Sequence, residues 1–491
     1  MSLIKENKQK KDLINSKKIA RYFKDNSRTL PFKKGAAKCV KSVLETNLKT
    51  LYKQYLQEHP FVSFSVFCKY RPKSIKTQMY VKFNQSLCEV CENINLKLKA
   101  FKEANVRDFG KDRKELLNLL LCDMEENSRF YQKKCSTLKC KECGPQKLFE
   151  SISEETFETE ITYKEWAMRE IKRGDNIVKR KALLTKTYKL KDMKNQLIKE
   201  FAKLPMHILN AKWQYAQFLL KKSNLKPTEL MAVLDFSENY RCASQDEAQS
   251  AYWNYQQVTI HPMVFTYNCS CQKELITESV IIVSNDLNHD AAAVQAFTKS
   301  ALEHISTRGD FNRLIEFTDG CGSQYKSKQP FLDIQNSVAK QGIHIERHFF
   351  GSRHGKNPSD GEAAVIKSAA TRAVKCRQRL IQNPMDFFNF GCAKLSLDGE
   401  CVHYKRKFIY VDTETIQKER KNQKQDIKTL VGTRDLHVVK PFVGGGLLTR
   451  KLSCFCESCE GADGMCVNKE YTQDWEHHDM MPKTSKVIMF E

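Results

Sequence analysis

A chain of 491 residues with 41% hydrophobic and 10% aromatic side chains is long enough for several domains and too apolar for a disordered or collagen-like polymer. Its 82 basic against 58 acidic side chains leave a formal charge of +24, a field that attracts polyanions and makes nucleic acid the first candidate partner. There is no run of about 18 apolar residues and no apolar segment behind the Lys-rich start, so neither a spanning helix nor a secretory signal is expected; in such an intracellular chain, 19 cysteines point to thiolate metal sites rather than to a disulfide framework.

Residues 1–80 read as a basic helical N-terminal region, with Val43, Leu44, Leu48, Leu51 and Leu56 at helical spacing. Phe61 to Pro72 fits either a strand or a helix start. Residues 81–150 form a cysteine-rich zinc module, and 151–229 a helical connector in which Trp166, Met168, Ile171, Trp213, Phe218 and Leu219 are the candidate buried positions. Residues 230–397 have an α/β texture. Residues 398–491 form a C-terminal region, rich in short strands, that leads through Gly444 to Gly446 into a second cysteine cluster.

Within 230–397, Met231 to Phe236 is a short apolar run carrying Asp235 near its end, and 253–267 and 275–285 are two further strands rich in Val, Ile and Thr. A helix over 290–305 follows, then a strand over 314–318 that runs into Asp319-Gly320. Next come a helix over 325–340, a strand over 343–350 and a helix over 361–380. Three strands, helix, strand, helix, strand, helix is the order of an RNase H-like core, a mixed sheet with helices on both faces. The expected fold class is therefore α/β, with the helical N-terminal region and the cysteine-rich modules appended.

That order gives the acids a meaning. Asp235 on the first strand and Asp319 after the fourth would lie side by side, and the last helix would bring Asp360 across to them. Three carboxylates from distant segments suit Mg²⁺ or Mn²⁺, which keep other positions for water and phosphate oxygens. Two such ions can activate an attacking oxygen and stabilise a leaving one at phosphorus. Against this stands the ordinary reading that a single Asp after a strand is a helix cap or turn residue. His344, Glu346 and His348 share one face of an alternating strand and read as a solvated edge rather than a ligand set. His354 and Lys356 occupy a Gly-containing loop of the kind that contacts a phosphate, and His289-Asp290 reads as a helix-cap pair.

The cysteines fall into two groups. Cys88-x-x-Cys91 and Cys140-x-x-Cys143 have the spacing of tetrahedral zinc knuckles and together suggest one structural Zn²⁺ site, with Cys122 and Cys135 able to form a second or to substitute in the first. Cys454, Cys456, Cys459 and Cys466 suggest another closed site, with His477 and His478 as spare donors. Cys242, Cys269, Cys271, Cys321, Cys376, Cys392 and Cys401 lack a pattern and read as small core residues.

The blocks Asp235-Phe-Ser-Glu-Asn-Tyr240, Gln245-Asp-Glu247, His289-Asp290, Thr318-Asp-Gly320 with Gln324-Tyr-Lys326, and His354-Gly-Lys356 followed by Asp360-Gly361 resemble a family of animal transposon-encoded proteins. The resemblance runs from about Tyr22 to Cys466 and includes Arg71-Pro72, Gly432-Thr-Arg434, His437 and both cysteine clusters. It implies an RNase H-like core of the kind found in DDE/D transposases and retroviral-type integrases. It also implies Asp235, Asp319 and Asp360 as catalytic metal ligands, with Glu362 in reserve for the third acid because many transposases of this class use Glu there. Lys326, His354 and Lys356 are then DNA contacts.

The expected function is that of a nuclear transposase, or a protein derived from one, that cleaves and joins DNA by two-metal-ion chemistry, with a homo-oligomer on DNA ends as the form such an enzyme can take. A catalytically inactive, domesticated DNA-binding protein is the second reading, and a zinc-stabilised interaction scaffold without salt-dependent DNA affinity is the third.

Overall fold

The computed structural model describes residues 16–29, 42–44, 48–60, 62–76, 87–106, 108–126, 128–173, 176–244, 255–269, 274–352, 357–398, 404–423, 426–461 and 465–481. The chain divides into two units, Met1–Leu87 and Cys88–Glu491. No helix among the described residues is long and apolar enough to cross a membrane.

The first unit is not purely helical. Its helices at 16–25, Leu48–Glu58 and Phe64–Lys69 accompany three short strands, Ser27–Thr29, Ser42–Leu44 and Ile75–Lys76, which form one small sheet. Val43 and Leu44, expected in a helix, lie instead in the strand that pairs with Ser27–Thr29. Leu44 packs with Ile19, Phe23, Leu51, Tyr55, Phe67 and Ile75 into a core of its own. Phe64–Lys69 is a helix begun by Ser63, whose side chain accepts the Val66 N–H.

In the second unit a helical module over 89–157 precedes a long antiparallel ribbon, Glu160–Arg173 paired with Asn176–Lys189. This overturns the helical reading of the connector's first half. Trp166, Met168 and Ile171 are exposed at 39%, 53% and 37%, so the spacing that resembled a buried helical stripe belongs to a ribbon standing in solvent. The second half is helical as expected. Helix α1, Leu190–Ser223, runs 34 residues and buries Trp213 and Phe218, whereas Leu219 is exposed.

The main sheet begins with β1 (Glu229–Leu234), β2 (Gln257–Asn268) and β3 (Leu275–Ser284), then β4 (Arg313–Thr318) and β5 (His344–Phe349). It is extended by β6 (Tyr404–Tyr410), β7 (Val438–Pro441), β8 (Leu447–Arg450) and β9 (Glu476–His478). The order across it is β6-β3-β2-β1-β4-β5-β7-β8-β9, with Leu397–Asp398 on the outer edge of β6. β2 is antiparallel to β1 and β3, whereas β4 runs parallel to β1 and β5 parallel to β4. The order therefore reverses between β1 and β4, the switch point at which sheets of this kind hold a crevice outside the carboxyl ends of their parallel strands.

Alternation sets the layers. Leu230, Ala232 and Leu234 face a core shared with helices α2 (Ala291–Ile305) and α3 (Lys328–Gln335). Met231 and Val233 point to the other face, with Phe218 of α1 and Phe317. On that opposite face, helices α4 (Pro358–Lys375) and α5 (Pro384–Lys394) cover Ile260, Ile281, Val283 and Phe408.

The solvated-edge reading of His344, Glu346 and His348 also fails. β7 pairs with β5 and turns an expected edge into an interior strand, so Glu346 and His348 are each only 3% exposed. Arg313 donates to Glu346 at 2.7 Å, to Glu229 at 2.8 Å and to Glu460 at 3.1 Å. Despite the desolvation that burial imposes, the Arg313 charge and the His348 hydrogen bond hold the Glu346 carboxyl far below the usual range. This pairing occupies Glu346 fully, so it is a structural anchor.

Candidate functional site

Asp235 and Asp319 reach the crevice by the same geometry. Val233 and Phe317 are the last paired residues of the neighbouring parallel strands, and each aspartate lies two residues beyond the paired residue of its own strand. Both strands stop there for physical reasons. After Leu234 the chain bends toward β2, with the Ser237 N–H bonded to Ile260 O at 3.0 Å. After Asp319, Gly320 adopts φ +78°, a left-handed turn that favours glycine, and the Cys321 N–H donates to Asp319 Oδ1 at 2.8 Å.

Asp360 arrives from the other side as the third residue of α4. That helix opens with a reciprocal cap: Asn357 Oδ1 accepts the Asp360 N–H at 3.1 Å, and the Asp360 carboxylate accepts the Asn357 N–H at 3.4 Å. Ser359 donates to Val233 O at 2.8 Å, which pins the helix start to β1. Asn357 also donates through Nδ2 to Asp235 Oδ2 at 3.2 Å. Sequence reading missed Asn357, although a Asn-Pro-x-Asp run is a recognisable helix start.

The electrostatics join the three acids. Asp235 is half-buried, whereas Asp319 and Asp360 reach solvent. Desolvation raises the Asp235 carboxyl to about 7, the charges of Asp319 and Asp360 add to the rise, and the Asn357 hydrogen bond opposes it. Asp319 is also raised, by desolvation and by Asp360, against the Cys321 backbone bond. None of the three is ion-paired with a described residue, and the nearby Lys326 charge opposes the rise at Asp319 without cancelling it.

Glu362, the reserve third acid, does not join them. Its carboxylate pairs with Arg406 Nε at 2.7 Å, on the side of α4 that faces β6. Lys326 does stand at the site, over the Phe349 ring and donating to Arg434 O at 3.2 Å. Burial lowers its amine to about 8, opposed by Asp435 and Asp319. His354 and Lys356 lie outside the described residues. His289 Nε2 donates to Asn239 Oδ1 at 2.9 Å while Asp290 caps α2, so that pair is structural.

The cysteines gather into three groups whose ligand atoms lie within 4.8 Å of one another: Cys122, Cys135, Cys140 and Cys143; Cys454, Cys456, Cys459 and Cys466; and Cys88, Cys91 and His207. Each can hold a metal ion, and the two four-thiol groups suit structural Zn²⁺. Among the described residues the three aspartates do not close to that separation. The expected pairing of Cys88 and Cys91 with Cys140 and Cys143 is thus corrected. Cys122 and Cys135 complete the second knuckle, and the first meets His207, a side chain of α1 with no local sequence signal. In the C-terminal group, the Cys454 side chain and then Arg450 help to lower the Cys459 thiol to about 4, against desolvation.

His477 and His478 stay outside that group, bonded to Gly445 O and Thr449 Oγ1. Of the patternless cysteines, Cys242 is buried and Cys321 half-buried, but Cys376 and Cys392 are exposed on or beside helices rather than in a core. Cys269, in the turn after β2, is disulfide-bonded. Cys271 and Cys401 lie outside the described residues.

Two family models match the chain. Residues 214–453 match a domain of unknown function (DUF8701), and residues 5–79 match a second domain of unknown function (DUF8699). The first spans all three aspartates, the main sheet through β8, and Cys454's immediate neighbour Ser453. No curated protein and no solved structure matches.

Proposed function

We propose that the second unit contains an RNase H-like core that cleaves and joins DNA phosphodiesters with Mg²⁺ or Mn²⁺, the activity of a nuclear transposase or a protein derived from one. The observation that carries the reading is the convergence of Asp235, Asp319 and Asp360 from three separate segments on one crevice. The strand order β3-β2-β1-β4-β5, with β2 alone reversed, supports it as the arrangement of RNase H-like cores.

The donor set fits a divalent cation. Three oxygen-donor side chains stand together without an ion pair to a described residue, and desolvation, with the charges of the other two acids, lifts Asp235 to about 7. A hard cation relieves that repulsion and takes carboxylate oxygens readily. Bound there, a pair of such ions supplies charge to activate an attacking oxygen and to stabilise the leaving one. The chain's own contribution is to hold the acids in place. Asn357 orients Asp235 and Asp360 together, the Gly320 turn orients Asp319, and Lys326 adds positive charge beside the phosphate path.

The test is cleavage of labelled duplex DNA, and joining of cut ends, in Mg²⁺ or Mn²⁺. Wild-type protein should nick the duplex, and Asp319→Asn should be inactive while still binding DNA, because phosphate contacts elsewhere set affinity. Binding without cleavage by wild type in either metal would instead favour an inactive, domesticated DNA-binding protein. A lack of salt-dependent DNA affinity would favour a zinc-stabilised interaction scaffold.

A further inference from the structure

The ribbon Glu160–Arg173/Asn176–Lys189 plays no part in the acidic crevice, and its two halves differ in environment. At its base Ile161, Tyr163 and Glu165 are buried. Asn93 clamps the strand there, donating to Trp166 O at 3.0 Å and accepting the Trp166 N–H at 2.7 Å. Glu165 sits against the buried Lys97 at 3.1 Å. Beyond Trp166 the buried anchoring gives way to one exposed tie among the described residues, the ion pair of Lys181 with Glu89. Every described side chain from Met168 to Lys172, and from Ile177 to Lys181, is exposed on both faces of the ribbon. At about 3.4 Å per residue, this distal part reaches roughly 20 Å into solvent.

A two-stranded ribbon is marginal in water unless something covers a face, so a free arm of this length calls for a partner. Its charge says which kind. Arg169 and Arg180 are direct cross-strand partners, and neither is ion-paired with a described residue. Like charges directly opposite one another destabilise a ribbon, whereas a polyanion between them turns the cost into a contact. Lys172 adds a further exposed cation nearby. Lys179 and Lys181 are neutralised locally, by Glu170 at 3.2 Å and Glu89 at 2.7 Å, which singles out the arginine pair. Met168, Ile171, Ile177 and Val178 lie exposed among these charges, at 53%, 37%, 59% and 45%.

We infer that the distal ribbon is a double-stranded DNA-binding arm that lies in the major groove, with Arg169 and Arg180 on the phosphates and the cross-strand pair Ile171 and Val178, which shares their face, toward the bases. The B-form major groove, about 12 Å wide, admits a two-stranded ribbon, and thymine methyls give its apolar side chains something to touch. The major groove of A-form RNA is too deep and narrow for the same fit. The inference rests on the reading above for DNA as the polyanion, but it assigns binding to a surface separate from the acids.

The experiment measures duplex DNA affinity of the full chain in chelator, across a salt series, so that catalysis does not enter. Two variants are compared with wild type: Arg169→Ala with Arg180→Ala, and a ribbon shortened by replacing residues 168–181 with a two-residue turn. Both should bind more weakly, and the double substitution should reduce the salt slope by about two. Unchanged affinity and slope in both ribbon variants would overturn the inference while leaving the cleavage reading intact. Ribbon-dependent binding by a wild-type protein that cleaves nothing would support the arm and remove the enzymatic reading. An equal, ribbon-dependent affinity for duplex RNA would overturn the groove assignment.

Discussion

Asn357 Nδ2 donates to Asp235 Oδ2 at 3.2 Å while Asn357 Oδ1 accepts the Asp360 N–H at 3.1 Å, so one amide side chain ties the first acid of the crevice to the third. A residue in that position caps the helix and orients the Asp235 carboxylate at once. Asn357→Ala should therefore cost about 1 kcal/mol of stability for the lost cap. It should also cost about 10–100-fold in metal affinity or cleavage, as loss of a supporting partner does. Chemical denaturation and a metal titration on the same variant separate the two effects. A stability loss with unchanged metal affinity would reduce Asn357 to a cap.

The raised carboxyl of Asp235 makes a pH prediction with a definite sign. A group with a folded-state pKa near 7, against about 4 when unfolded, holds an extra proton in the folded protein between those values. Its ionised form thus destabilises the fold fully above pH 7, and the penalty disappears as pH falls toward 4. In chelator, Asp235→Asn should be more stable than wild type at pH 8, on the order of 1–2 kcal/mol after allowing for partial exposure, with the difference reduced severalfold at pH 5 and vanishing toward pH 4. Saturating Mg²⁺ should reverse the ranking at pH 8 by stabilising wild type alone. Equal stability of the two proteins at both pH values would remove the crowding argument.

Much of this crevice was legible in the sequence because the signals were local. An apolar run ending in Asp235, and another ending in Asp319-Gly320, mark strand ends whatever surrounds them. The ribbon was not legible in the same way. Trp166, Met168 and Ile171 recur at a spacing that also suits a helix, and Lys, Arg and Glu are good helix formers; the contrary signal was the alternation of Ile161, Tyr163 and Glu165. Glu346 was misjudged because β7, supplied from almost a hundred residues downstream, buries it. The zinc pairing failed for a related reason: a Cys-x-x-Cys spacing fixes a knuckle but not which distant ligands close it.

Asp360 and Glu362 should separate cleanly. Residues two apart at a helix start point about 200° apart, and here one faces the crevice while the other pairs with Arg406. Asp360→Ala should abolish cleavage, and Asp360→Glu should impair it by displacing the metal. Glu362→Ala should retain cleavage and lose about 1 kcal/mol as Arg406 is left without its partner. Cleavage rates set beside circular-dichroism melts decide this, and an active Asp360→Ala with an inactive Glu362→Ala would reverse the assignment.

Three cysteine groups predict three separable ions. Native mass spectrometry of the zinc-loaded chain should find three, with Cys88→Ser and Cys140→Ser each removing a different one. His207→Ala should behave as Cys88→Ser does. Two ions in wild type, with Cys88→Ser and Cys140→Ser losing the same one, would restore a single shared N-terminal site.

The most direct test of the acidic crevice is Mn²⁺ binding followed by electron paramagnetic resonance, on zinc-loaded wild type, Asp235→Asn and Asp319→Asn, with cleavage of duplex DNA read from the same samples. The account predicts saturable Mn²⁺ binding and cleavage in wild type, and loss of both in each variant, with the zinc content and melting behaviour retained. Mn²⁺ binding and cleavage that persist undiminished in Asp235→Asn and Asp319→Asn would contradict it.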